Sequence, residues 1–168
     1  MSNNPSISII VPVLNEEGSL DTFYIETSKV LREYSDWEMI FVDDGSDDES
    51  FNIIRGIAEK DSHVTLIQFF NNFGKADAIA EGFNHSTGDI VITIDADLQD
   101  DPAEIPRLVA KIQEGWDVVS GWKKDRKDPA SKRIPSKLFN FVTRIFTGIK
   151  IHDFNCGLKA YRLKVVKA

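Results

Sequence analysis

The stretch Gly88–Pro102, with the sequence GDIVITIDADLQDDP, decides the fold of this chain. Its residues Ile90–Ile94 are β-branched in an unbroken row, as expected of a central parallel strand that is covered on both faces. Open α/β sheets bind ligands at the carboxyl ends of their strands, and this end carries two acids, Asp95 and Asp97. Carboxylate oxygens suit Mg²⁺, which completes its shell with water and substrate phosphates. The stretch therefore predicts a metal-assisted site for a phosphorylated substrate.

The composition is that of a globular domain with a substantial core, because 42% of the 168 residues are hydrophobic and 28% are charged. One cysteine, Cys156, excludes an internal disulfide and favours a reducing compartment. No apolar run reaches the length of a membrane span, and the N-terminus lacks the basic region of a signal peptide. The sequence stops within what reads as the first turn of a helix, from which we expect a C-terminally truncated chain.

The charge is unevenly distributed. The net charge is -7, yet residues 121–150 contain nine of the 20 basic residues and only two of the 27 acidic ones. This basic block has a local net charge of +7 and leaves -14 on the rest of the chain. Such a block predicts an anionic partner such as a phosphate or a lipid headgroup, and the alternative interpretation is a solvated surface helix. Nucleic acid is not expected, because the acidic remainder would repel its backbone.

Strand-like and helix-like segments alternate along the first 120 residues. This alternation predicts an α/β fold with a mostly parallel sheet and helices on both faces. Ser46 or Asp47 is expected to cap the second helix. Beyond Gly121 we predict a mobile basic loop, a helix over 134–149 and a short turn-containing segment over 153–161. The predicted strands are Ser6–Val13, Trp37–Val42, Val64–Phe69, Asp89–Ile94 and Asp117–Ser120.

Acidic residues follow three of the predicted strands. Asp43 and Asp44 end the second strand, and Asn15, Glu16 and Glu17 follow the first. Parallel strands bring these residues to the same sheet edge as Asp95 and Asp97, where they would repel one another without a cation. A bound nucleotide would explain this cluster of carboxylates. Its base and ribose hydroxyls would hydrogen-bond to some of them, and Mg²⁺ would bridge others to its diphosphate.

Five motifs give the chain its resemblance to family 2 glycosyltransferases, and more narrowly to the dolichyl- or undecaprenyl-phosphate sugar transferases. The resemblance implies a glycosyltransferase A-type nucleotide-diphospho-sugar transferase fold, with residues 1–168 forming a single catalytic domain. The last motif, DFNCGLK, points to the polyprenyl-phosphate branch. The motifs are Ser8–Glu17, Val42–Ser46, Asn72–Lys75, Asp95–Pro102 and Asp153–Lys159.

The resemblance also implies a donor site for a UDP- or GDP-sugar. In it, Asp97 and Gln99 would hold Mg²⁺ or Mn²⁺ on the donor diphosphate, and Asp95 would bind the ribose or the sugar. Lys75 would lie near the donor. The alternative, an ordinary lysine at a helix N-terminus, is disfavoured because a cation there opposes the helix dipole. The implied donor-site residues are Pro12, Leu14, Glu16, Val42, Asp44, Lys75, Asp95, Ala96 and Asp97.

The implied acceptor is a polyprenyl phosphate, bound by the basic loop over residues 121–133, which closes over the donor. A phosphate monoester is already largely dianionic at pH 7, so inverting transfer to it needs no strongly poised base. Asp153 is left open as a base or an orienting residue. The residues implied to carry catalysis are Asp95, Asp97, Lys123, Arg126, Lys132 and Arg133.

Two alternatives remain open at this point. The acceptor could be a saccharide hydroxyl, or the chain could be a nucleotide-sugar-binding module with weak catalysis. With a polyprenyl acceptor, the full-length protein is expected at the cytoplasmic face of a membrane, where basic residues meet anionic headgroups. The sequence does not select the sugar or the base of the donor.

Overall fold

A computed structural model describes residues 4–122 and 156–168 of the chain. These residues contain a six-stranded sheet with the order β3-β2-β1-β4-β6-β5. The strands are β1 Ile7–Val13, β2 Trp37–Asp43, β3 Val64–Gln68, β4 Ile90–Thr93, β5 Val118–Ser120 and β6 Lys159–Arg162. The helices are α1 Leu20–Leu31, α2 Ser50–Ala58, α3 Lys75–His85, α4 Ile105–Gln113 and α5 Leu163–Val166, and a 3₁₀ turn at Pro102–Glu104 precedes α4.

The predicted mostly parallel sheet is confirmed. Strands β3, β2, β1 and β4 are parallel neighbours, whereas β6 is antiparallel to both β4 and β5. Residues 153–161 were expected to form a turn-containing segment, and strand β6, which begins at Lys159, was not predicted. The reason is that β6 has only four residues, three of them polar or charged, and depends on pairing with β4 and β5.

Helices cover both faces of the sheet, as predicted. Helices α1, α2 and α4 pack on the larger core, which includes the fully buried Phe23 and Phe41. Helix α3 lies on the opposite face, where Ala78 packs with Ile40 and Val42. Gly82 brings this helix close, because a Cβ there would collide with the side chain of Ile10. Within the described part of the chain, no helix is long and apolar enough to cross a membrane.

Asp61 joins three elements at the sheet edge where β2 begins. Its carboxylate accepts hydrogen bonds from the Tyr24 hydroxyl (2.8 Å) and from the backbone N–H of His63 (3.0 Å). The His63 ring stacks on Trp37, with 4.3 Å between the ring centroids. Burial alone would raise the pKa of Asp61, but the hydrogen bonds from His63 and Tyr24 outweigh it and hold the pKa below its ordinary value.

Asp61→Asn should lower the free energy of unfolding by about 1–2 kcal/mol at pH 7, because it weakens these hydrogen bonds. The folded pKa is depressed, so the stabilisation is complete above the ordinary pKa of 3.8 and is lost as the pH falls through the folded pKa. Urea titrations should show the difference between wild type and variant shrinking below about pH 4. The exposed Asp36→Asn is the control, and a difference that does not shrink contradicts the assignment.

Candidate functional site

A pocket of about 330 Å³ lies at the carboxyl ends of β1, β2 and β4. It contains eight of the nine residues that the resemblance implied for the donor site: Pro12, Leu14, Glu16, Asp44, Lys75, Asp95, Ala96 and Asp97. Three further residues line it that were not in that set: Val13, Asn72 and Gly74. Asn72 and Gly74 belong to the NFGK motif, so the sequence carried a signal for them.

Strand pairing brings the pocket residues together. Val13 at the end of β1 pairs with Asp43 at the end of β2, and the N–H of Asp44 donates to the Val13 carbonyl (2.8 Å). On the other side of β1, the N–H of Ile94 donates to the Ile10 carbonyl (3.1 Å). These bonds hold the segments after β2 and β4 on either side of the segment after β1.

The Asp44 carboxylate holds the loop before α3. It is buried, and its two oxygens accept hydrogen bonds from the N–H groups of Phe73 (2.7 Å) and Gly74 (2.9 Å). The loop passes close to Gly45, where a Cβ would lie 2.7 Å from the carbonyl carbon of Asn71. Gly45 also has a φ of +75°, so the position favours glycine on both counts. Each Asp44 oxygen retains a second lone pair for a ligand.

Hydrogen bonds join the segment after β1 to the segment after β2. They engage the two residues that were predicted to cap α2. The N–H of Asn15 donates to the Ser46 hydroxyl (3.0 Å), and the N–H of Asp47 donates to the Asn15 side chain (3.0 Å). Neither Ser46 nor Asp47 caps α2, so that prediction was wrong. The Asp48 carboxylate instead accepts from the N–H of Ser50, the first residue of α2 (2.9 Å). The cross-loop bonds are tertiary contacts, which the local sequence pattern could not show.

Lys75 and Asp95 form an ion pair in the pocket. The Lys75 Nζ lies 2.6 Å from one Asp95 carboxylate oxygen and 2.7 Å from the other. Lys75 is the first residue of α3, and the Asp95 charge offsets its unfavourable position at the positive end of the helix dipole. The pair places one cation and one anion side by side where a ligand with phosphates and hydroxyls could bind to both.

The predicted metal ligands Asp97 and Gln99 line different depressions, although the N–H of Gln99 donates to the Asp97 carboxylate (3.0 Å), and their joint role stays a prediction. Asp97 lines the pocket, whereas Gln99 lines a neighbouring depression between α1 and residues 98–103. Leu98 between them has a φ of +59°, which turns the chain. In residues 4–122 and 156–168, no group of three His, Cys, Asp or Glu residues could hold a metal. Asp97 alone still fits a hard cation that takes its other ligands from water and a diphosphate.

The other predicted site residues lie outside the pocket or outside the described residues. Val42 is fully buried and packs with Ile40 and Ala78, so its side chain is not exposed, and its contact with the nucleotide stays a prediction. The remaining predictions fall between the described ranges, which leaves them as predictions: the loop over 121–133 beyond Trp122, the helix over 134–149, Lys123, Arg126, Lys132, Arg133 and Asp153.

Sequence comparison identifies related proteins. The profile described as Glycosyl transferase family 2 matches residues 8–168. An undecaprenyl-phosphate 4-deoxy-4-formamido-L-arabinose transferase from Shewanella sediminis is 46% identical over 164 residues, which cover 96% of this chain and 50% of the relative. A protein of the same name from Salmonella choleraesuis is 40% identical and matches 95% of this chain and 50% of the relative. The chain therefore spans about half the length of these relatives.

Structure comparison finds the same architecture in solved glycosyltransferases. Glucosyl-3-phosphoglycerate synthase from Mycobacterium tuberculosis, crystallised with Mn²⁺ and UDP-glucose, matches 96% of this chain and 57% of its own. The TM-score is 0.73 and the sequence identity 24%. A mannosyltransferase from Pyrobaculum calidifontis with GDP-Man and Mn²⁺ matches 99% of this chain and 47% of its own, with a TM-score of 0.66 and 23% identity. The predicted glycosyltransferase A-type fold is confirmed.

Asp44→Asn should loosen the loop before α3, because an amide offers one acceptor oxygen to the N–H groups of Phe73 and Gly74 where the carboxylate offers two. We expect the protection of these two amides against hydrogen exchange to fall roughly tenfold. The exposed Asp47→Asn is the matched control and should exchange like wild type. Unchanged protection in Asp44→Asn would show that the carboxylate does not hold the loop.

Proposed function

The chain belongs to glycosyl transferase family 2, and we propose that it transfers a sugar from a nucleotide-diphosphate sugar to undecaprenyl phosphate. The observation that carries the proposal is the pocket at the carboxyl edge of the sheet, which combines Lys75, Asp95 and Asp97 with the buried Asp44. The relatives at 40–46% identity are named for this class of transfer. Because the chain spans half of their length, its activity stands here as a proposal.

The pocket offers complementary groups to each part of the donor. Lys75 supplies the cation for a diphosphate oxygen, and Asp95 accepts a hydroxyl hydrogen bond from the ribose or the sugar. Asp97 would hold Mg²⁺ or Mn²⁺, and such an ion offsets the charge of the departing nucleotide diphosphate. The exposed Leu14 and the neighbouring Pro12 line the pocket at the end of β1, where a base can lie against apolar atoms.

The acceptor site is proposed next to Asp95, where the basic block joins the described fold. The N–H of Gly121 donates to the Leu158 carbonyl (2.9 Å), so the segments before and after residues 123–155 are joined there. Gly157 lies against the Asp95 carboxylate. Lys123, Arg126, Lys132 and Arg133 belong to the sequence interval between these two segments, which supports the proposal that they bind the acceptor phosphate.

The reaction needs positioning more than proton transfer. The acceptor phosphate carries close to two negative charges at pH 7, so its oxygen can attack the anomeric carbon without a base. The chain's residues orient the donor, keep the two phosphates from repelling each other, and align the attacking oxygen. A lipid acceptor requires that the protein work at a membrane surface, and the cytoplasmic face remains our prediction.

We further propose 4-deoxy-4-formamido-L-arabinose as the transferred sugar, because the relatives at 40–46% identity carry that name. A panel of UDP- and GDP-sugars with Mn²⁺ in a thermal-shift assay tests the donor, since a bound ligand raises the melting temperature. Transfer of labelled sugar to undecaprenyl phosphate or to free saccharides then tests the acceptor. Label in the lipid fraction supports the proposal, whereas label only in saccharides supports the alternative acceptor. A donor that binds with no transfer to any acceptor supports the binding module.

Asp97→Asn should weaken Mn²⁺-dependent donor binding roughly 100-fold, because an amide oxygen lacks the charge that holds a divalent cation. Calorimetric titration of the donor with Mn²⁺ and with EDTA measures the effect. Asp36→Asn, an exposed acid before β2 and far from the pocket, is the control and should bind as wild type does. Equal metal dependence in Asp97→Asn and wild type would contradict the assignment.

A further inference from the structure

Gly157 lies directly against the carboxylate of Asp95. A Cβ at Gly157 would collide with one Asp95 carboxylate oxygen and would lie 2.7 Å from the carboxylate carbon and 3.0 Å from the other oxygen. These are its three nearest neighbours, so the collision is with the tip of one side chain and not with backbone. The Asp95 carboxylate can therefore occupy its position only because residue 157 has no side chain.

The backbone of Gly157 gives no other reason for a glycine. The glycines with positive φ in the described residues are Gly45, Gly74 and Gly115, so Gly157 is not in the left-handed region. An alanine could adopt its conformation without backbone strain. Space for the Asp95 carboxylate is the remaining requirement, and it is a requirement of the pocket rather than of the fold.

Thr93 fixes Gly157 in this position. The Thr93 hydroxyl donates a hydrogen bond to the Gly157 carbonyl (2.8 Å), and Thr93 is 3% exposed. Thr93 is the last residue of β4, two residues before Asp95, and pairs with Lys159 at the start of β6. The Thr93 side chain thus joins the segment that contains Asp95 to the segment that contains Gly157, which lies against the Asp95 carboxylate.

We propose that Gly157 and Thr93 are positioning residues of the donor pocket, which hold the Asp95 carboxylate facing Lys75. The backbone of Gly157 lies against the carboxylate and leaves no room for a side chain there, and the Lys75 ammonium binds the same carboxylate at 2.6 Å. Asp95 therefore points into the pocket before any ligand arrives, which spares the donor the cost of ordering it. This inference rests on the proposed function, because it assigns Asp95 to donor binding.

Gly157→Ala tests the inference, because the three atoms nearest to the added methyl group all belong to the Asp95 carboxylate. We expect the melting temperature to stay within about 2 °C of wild type. The kcat/KM for the nucleotide sugar should fall roughly 10-fold to 100-fold, as small misplacements of binding groups do. Gly56→Ala on α2, where a Cβ meets nothing within 4 Å, is the matched control and should keep wild-type kinetics.

A double variant separates positioning from a general structural effect. In an Asp95→Ala background the methyl group at position 157 has no carboxylate to displace, so Gly157→Ala should cause no further loss of donor affinity in calorimetry. If the two losses simply add, Gly157 does not act through Asp95 and the inference is overturned.

Thr93→Val removes the hydroxyl and adds no volume. It therefore tests the hydrogen bond from Thr93 to the Gly157 carbonyl even if Gly157→Ala fails to fold. We expect the affinity for the nucleotide sugar to fall about threefold to tenfold, as for a lost hydrogen bond. Thr93→Ser should restore it, and the exposed Thr65→Val on β3 is the matched control. If wild type binds nucleotide sugars and all these variants bind equally well, the positioning role is wrong. If wild type binds none, the proposed function itself fails.

Discussion

The parallel pairing of β1 with β2 on one side and β4 on the other is the constraint on which the site depends. Because the three strands run in the same direction, the residues that follow them emerge at one edge of the sheet. A shift of one residue in either pairing would exchange the faces of a strand and move the carboxylates that follow it away from their present positions. The core fixes the register, since β1 and β4 are buried on both faces.

The acidic edge has partners of its own, which corrects the expectation that its carboxylates would repel one another without a cation. Asp43 accepts from the N–H of Ser46 (3.1 Å), Asp44 accepts from two N–H groups of the loop before α3, and Asp95 is paired with Lys75. Charged carboxylates are stabilised by such bonds. Asp97 and Glu16 also line the pocket, and in the described part of the chain their carboxylates are bonded only within their own loops, Asp97 by the N–H of Gln99 and Glu16 by the Ser19 hydroxyl.

The sequence predicted the sheet and the helices on both faces, because β-branched runs and helical spacing are local signals, and it predicted the carboxylates at the strand ends, whereas the donor-site residues were implied by the family resemblance. It did not predict strand β6, which is held by pairing with its neighbours, or that Gln99 lines a different depression from Asp97, with the left-handed residue Leu98 between them. It also gave no role to Gly157, whose contact with Asp95 spans more than 60 residues. Sequence patterns thus located the site, and tertiary contacts determined which residues face one another.

The central claim is that one pocket at this edge binds a nucleotide-diphosphate sugar through Lys75 and Asp95 and a divalent cation through Asp97. A crystal structure of the protein with a nucleotide sugar and Mn²⁺ tests it most directly, because anomalous scattering locates manganese without ambiguity. The account predicts one manganese peak within coordination distance of the Asp97 carboxylate and of the donor diphosphate. Donor or manganese bound outside this pocket would contradict it.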